Sequence, residues 1–259
     1  MARNSFHNDN FLNIARNLKV DTSHIHKFGR NPSVGGAPET IWEQGGVYTY
    51  LTVASTIYVS GADAQDSAAG TGARTVTVQG LDTDYNPIEE TLTVDGAVST
   101  KSFFRVFRAF VASAGSLQAN KGDVLVSTGA SGGGTVLAKI ATIGTGTVFG
   151  QGQTNLALYT IPAGKRGYLT NWNIGVGAYN DSVTANLYTR EFGNGLVFRT
   201  RDVMDVPGGL HQRIYQVPFA LPEKTDIEVR AIASTGTNIS STFDIILHDT
   251  PRTMQVSGN

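Results

Sequence analysis

Few residues in this chain have the types and spacing that a reaction or a metal requires. Asp82, Asp84 and Asn86 in DTDYN place oxygen ligands at alternate positions, as the start of a calcium loop does. The glycine such a loop needs at its sixth place is Pro87, and the closing carboxylate is replaced by Thr93. The segment therefore reads as an acidic hairpin turn. His24 and His26 share one face of an extended segment, but no third ligand stands at an informative spacing, so they read as part of a solvated arm. His211 and His248 lie in or beside strand-like runs, with no serine or carboxylate partner to make a base of either.

Glu89 and Glu90 are adjacent, which on a strand sends them to opposite faces and rules out a carboxylate dyad. GASGGG (129–134) and the glycines of 144–152 lack the Lys-Ser or Lys-Thr and the following helix of a phosphate loop, and read as hairpin tips. FFRVFRAF (103–110) puts Arg105 and Arg108 among aromatic rings, a pattern that can grip single-stranded nucleic acid. An apolar strand of this kind is more simply explained by cover on both faces, within the fold or at a subunit interface. No catalytic, cofactor-binding or metal-binding residue is assigned, and no cofactor is expected.

The elements that must carry these residues are strands. From Val47 onward, short apolar runs alternate with Gly, Asn, Asp and Pro. Strands are expected at 47–52, 56–60, 75–79, 88–94, 103–112, 123–127 and 135–143, and then at 156–161, 167–176, 183–191, 196–202, 210–219, 226–233 and 241–249. In TVTVQ, Val76 and Val78 share one face; in DIEVRAIA, Ile227, Val229 and Ala231 form a dry face against a wet one of Glu228 and Arg230. The fold class is all-β: antiparallel β-sandwich or jelly-roll domains preceded by an extended N-terminal arm with a short helix. The divisions are 1–40, a docking arm without strand-like runs; 41–150, a first β-domain; and 151–259, a second.

Composition sets the outer limits. The 259 residues are 40% hydrophobic and 16% charged, with 30 Gly, no Cys and a net charge of -1. Zero cysteine removes disulfides, thiolate metal sites and a cysteine nucleophile. A near-neutral chain has no field to collect nucleic acid or an anionic membrane, and no run approaches the ~20 apolar residues of a membrane span. The opening residues contain no apolar segment of signal-peptide type, so synthesis in the cytoplasm is expected.

Four stretches carry a resemblance: KFGRNPSVGGAPETIWEQGGVYTYL (27–51), GTGARTVTVQGLDTDYNPIEETLTVDG (70–96), FFRVFRAFVASAGSLQANKGDV (103–124) and YTIPAGKRGYLT (159–170). Together they resemble tailed-bacteriophage virion structural proteins. The resemblance implies a non-enzymatic particle component, a capsid decoration, neck or fibre-related subunit. Its partners would be other virion proteins and copies of itself.

The arm is the expected means of attachment. Phe11, Leu12, Ile14 and Leu18 fall near one face of a short helix and are the candidate assembly interface. A helix of that length buries too little to stand alone. The competing reading is a receptor- or glycan-binding fibre module, which would use polar loops such as GAYNDS (177–182) and ASTGTN (233–238).

Overall fold

The computed structural model describes residues 10–143, 149–177, 182–193, 196–234 and 236–250. The chain runs α1 (Asn10–Ala15), β1 (Thr22–Val34), β2 (Glu39–Thr40), β3 (Tyr58–Gly61), β4 (Ala73–Leu81), β5 (Pro87–Thr93), β6 (Arg105–Ala114), β7 (Val124–Ser127), β8 (Val136–Ile140) and β9 (Thr142–Ile143). It continues through β10 (Phe149–Gly150), β11 (Leu158–Thr160), β12 (Lys165–Val176), β13 (Val183–Arg190), β14 (Arg199–Val206), β15 (Gly209–Leu221), β16 (Asp226–Ala233) and β17 (Thr237–Asp249). All ladders are antiparallel, and the all-β class read from the sequence is the one observed.

Alternation explains the larger core. A sheet in the order β1-β17-β12-β15 faces one built from β11, β16, β13 and β14, with β2 beside β16. Their inward residues, among them Trp172, Ile174, Leu187, Val229, Phe243 and Ile245, are fully buried between the layers. A smaller core lies between the sheets β5-β4-β6 and β3-β7-β8, around Val76, Val78, Phe103, Val126 and Ile140. Trp42, Tyr48, Leu156 and Leu158 form a third cluster that Phe107 and Val136 pack against.

Two expectations require correction. Residues 1–40 were read as lacking strands, yet β1 is a 13-residue strand paired with β17 from Thr22↔His248 to Val34↔Thr237. Its inward positions after Ile25 are Lys27, Gly29 and Asn31, so the apolar period-two signal that marks a strand is missing. Conversely, 47–52 is not a strand. Tyr48 and Tyr50 stack edge-on in series with Trp42, at centroid separations of 5.1 and 4.9 Å. The Tyr48 N–H donates to Thr40 Oγ1, so this segment serves as a cover and not as a ladder.

The covered surface is the supposedly wet face of β16. Glu228 is fully buried, accepts from both Nε and Nη2 of Arg230 at 2.8 Å, and also accepts from the Thr40 hydroxyl. At the start of the same strand, buried Asp226 accepts two bonds from Arg105, two from Arg190 and one from Thr160 Oγ1. Charges excluded from water survive only when paired in this way. The two β-regions thus meet across a layer of ion pairs faced with aromatic rings.

Candidate assembly surface

The surface that stands out physically is β15, joined by a tight turn to β14 in the facing sheet. β15 pairs with β12 on one side and is the end strand of its sheet. Its turn is made at Pro207 and two glycines in the left-handed region, Gly208 (φ 114°) and Gly209 (φ 79°). Beyond it the side chains from Gln212 to Ala220 are exposed except Tyr215, which is half-buried. Leu210 is 76% exposed, Ile214 68% and Val217 83%.

Register decides where these residues point. Leu210, Gln212 and Ile214 oppose Gly175, Asn173 and Asn171, which in turn oppose Ser240, Thr242 and Asp244 on β17. Cross-strand partners share a face. Leu210 and Ile214 therefore stand on the outer face, away from buried Trp172 and Ile174. Arg213 and Tyr215 point the other way and tie β15 to β14, both reaching Asp202 Oδ2, at 3.4 and 2.9 Å. Burial and that hydrogen bond together push the Tyr215 hydroxyl pKa well above its ordinary value. A bulge follows, with Asn171 opposite Ile214 but Leu169 already opposite Phe219, and it projects Val217 and Pro218. A long, exposed edge strand with apolar side chains is a template for association unless something blocks it. Here Pro218 removes one donor, and Gln212, Arg213 and Gln216 supply polar interruptions.

The helix expected to dock lies nearby in sequence to β1. Phe11 is 70% exposed, with Leu12 and Leu18 also largely exposed. Ile14, expected to join them, is already covered by the chain itself and has no surface to offer a partner. No comparable signal marks β15 in the sequence, because LHQRIYQVPF looks like a half-buried strand and does not show how little of either face is covered.

The remaining candidates resolve into structural roles. Asp82 spends its carboxylate on the amides of Asp84 and Asn86 (2.9 and 2.8 Å), closing the β4–β5 turn with Tyr85 at φ 66°. Glu89 accepts from Gln79, whereas Glu90 caps the amides of Thr100 and Lys101; these bonds outweigh its burial and hold its pKa below the usual range. His211 contacts the Gly208 carbonyl and His248 the Asp249 carbonyl. His24 Nε2 and His26 Nδ1 converge on Asp244 Oδ1 at 2.7 and 2.8 Å, while Asn171 donates to Oδ2. Burial opposes the Asp244 charge, but the bonds from His26, Asn171 and His24 prevail and lower its pKa. Arg105 is buried in the ionic layer; Arg108 is exposed and donates to Gln153. Most of GAYNDS, one residue of ASTGTN, and the ends 1–9 and 251–259 lie outside the described residues.

Among the described residues, no group of three or more His, Asp or Glu side chains is arranged to hold a metal. No described helix is long and apolar enough to cross a membrane.

No protein-family model matches the sequence, and no curated protein is significantly similar to it. Among solved structures, the chain has a loose similarity to that of infectious bursal disease virus, Gx strain, with 8% identity, 89% of this chain and 73% of that chain covered, and a TM-score of 0.24. For the VP2 subviral particle of the same virus the identity is 9%, the coverage 88% and 77%, and the TM-score 0.18. Superpositions this loose do not establish a shared fold or function.

Proposed function

We propose that this chain is a non-enzymatic structural component of a virion that works as an oligomer. The observation carrying the reading is the open β15 edge, where Leu210, Ile214 and Val217 stand in solvent on a 13-residue strand at the end of its sheet. Full burial of each would contribute roughly 1.5 to 3 kcal/mol before the costs of association, so a pairing repeated around a symmetry axis gains enough to be stable.

In its finer form, the proposal places the chain in a tailed bacteriophage as a capsid decoration or a neck or tail accessory protein. The four stretches resembling such proteins support this. Attachment would run through the segment before β1, with Phe11, Leu12 and Leu18 meeting the neighbour. Because β1 belongs to the sheet, the part free to dock ends near Asp21, about half the length the sequence suggested.

Light scattering of the purified chain across a concentration series tests the core of the proposal. The intact protein should form a defined oligomer, and Ile214→Lys with Val217→Lys should return it to monomer without lowering Tm. A wild-type chain that stays monomeric at every concentration overturns the assembly role for β15. For the attachment role, particles should lose a chain truncated before residue 19; full occupancy would rule that role out.

A further inference from the structure

A cavity of about 360 Å³ opens beside β1, where that strand meets β6 and the 153–154 segment. Its wall holds the side chains of Lys27 and Arg108, the polar groups of Gln153 and Thr154, and the rings of Phe107 and Tyr159. No carboxylate lines it. Lys27 is only 8% exposed, and its ammonium donates to the Phe107 carbonyl oxygen. An ammonium carries three donors, and among the described residues neither Lys27 nor Arg108 has an anionic partner. A buried cation without a counter-charge is costly, and nothing in the packing of the two sheets requires it. We infer that this cavity is a binding site for a compact organic oxyanion, its acidic group seated between Lys27 and Arg108 and its body against Phe107 and Tyr159.

The surroundings fit that ligand. Thr154 Oγ1 accepts from the Ala109 amide, leaving its own proton to donate. Of the acids near the wall, Asp244 on β17 is held by His24 and His26, and Glu89 on β5 by Gln79, so neither neutralises the pair. A volume of this size lies within the range of small-molecule sites and exceeds what a bare inorganic ion fills. Burial, and then the Arg108 charge, lower the Lys27 pKa to about 7. The charge of a bound anion opposes both influences, so binding draws a proton onto Lys27 near neutral pH and weakens as pH rises.

Calorimetric titration of the full chain with glucuronate, glucose 6-phosphate, glucose and inorganic phosphate tests the site. Glucuronate or glucose 6-phosphate should bind in the millimolar range or tighter, and which of them does so distinguishes a carboxylate from a phosphate ligand. Glucose should not bind. Proton uptake should show as a dependence of the heat on buffer ionisation enthalpy, and Lys27→Met and Arg108→Gln should each weaken binding about tenfold or more. Arg108 is exposed, so its variant keeps the test valid even if Lys27→Met fails to fold. The assignment falls if neither acidic sugar binds, if glucose or inorganic phosphate binds equally well, or if Arg108→Gln binds like the wild type.

Discussion

Arg105 on β6 and Asp226 on β16, 121 positions apart, meet as a two-armed ion pair with Nε–Oδ1 at 2.9 Å and Nη2–Oδ2 at 3.2 Å. The guanidinium also lies over the Phe104 ring at 4.1 Å and the Tyr50 ring at 5.1 Å. Burial disfavours the Arg105 charge, but the Asp226 carboxylate more than restores it and raises its pKa. This contact connects the two β-regions and is largely buried, with Arg105 bordering a cavity of about 400 Å³.

Removing the shared anion leaves buried Arg105 and half-buried Arg190 without their carboxylate. Asp226→Ala should therefore destabilise the chain by about 3 to 5 kcal/mol, more than Arg105→Ala, which leaves Asp226 paired to Arg190. Urea unfolding measures both. Losses below about 1 kcal/mol would mean that the layer is hydrated.

Tyr50 presents the opposite case, since its hydroxyl is buried and has no hydrogen-bond partner among the described residues. Burial and the nearby Glu228 and Asp226 charges push its pKa well up, so it stays protonated. Tyr50→Phe should raise stability by up to about 1 kcal/mol, because a desolvated donor is removed while the ring stacking is retained. A lower Tm in the variant would contradict this.

Lys27 makes stability depend on pH in a definite direction. Its folded pKa is lowered to about 7 from the model-peptide 10.5, so between these values the unfolded chain binds more protons than the folded one. Stability contributed by this group rises with pH across that window, by at most about 1.4 kcal/mol per pH unit. Below pH 7 the full penalty of burying the ammonium remains. Lys27→Met should flatten the curve and be more stable than wild type at pH 6, as denaturation at pH 6, 8 and 9 would reveal.

Gly29 lies on β1 where no side chain fits. A Cβ there would stand 2.2 Å from the Ile41 carbonyl oxygen and 2.3 Å from the Ala157 nitrogen, both backbone atoms. Gly29→Ala should cost about 3 kcal/mol or more through forced displacement of β1. A Tm change of under a few degrees would show that β1 is loosely seated.

Truncation separates the docking segment from the fold. Loss of residues 1–18 should lower Tm by only a few degrees, since Phe11, Leu12 and Leu18 are exposed and Ile14 alone of the four is covered by the fold. Loss of 1–40 removes β1, exposes the β17 edge and uncovers Phe243, so that chain should aggregate.

Much of the architecture was legible in local pattern. DIEVRAIA was bounded at 226–233 as observed, and Val76 with Val78 faces a core as the alternation of TVTVQ required. The β1 strand was invisible because Lys27, Gly29 and Asn31 occupy its inward row, and each is admitted by a particular neighbour: the Phe107 carbonyl, the approach of Ile41 and Ala157, and the Thr40 carbonyl. The candidate site was half legible. Phe11, Leu12 and Leu18 lie exposed, whereas Ile14 is covered, and the exposure of β15 could not be inferred from a sequence that alternates normally.

The order of residues alone determined the strand-rich class, the absence of thiol chemistry and most turns, because those follow from side-chain volume, backbone freedom and a period of two. Only the folded chain decided that Asp226, Glu228 and Arg105 are interior, and that Ile214 and Val217 are not. Burial of a strand's second face depends on whether a distant segment lies across it. That segment is placed by long-range pairing of charge and shape, which no local window of sequence contains.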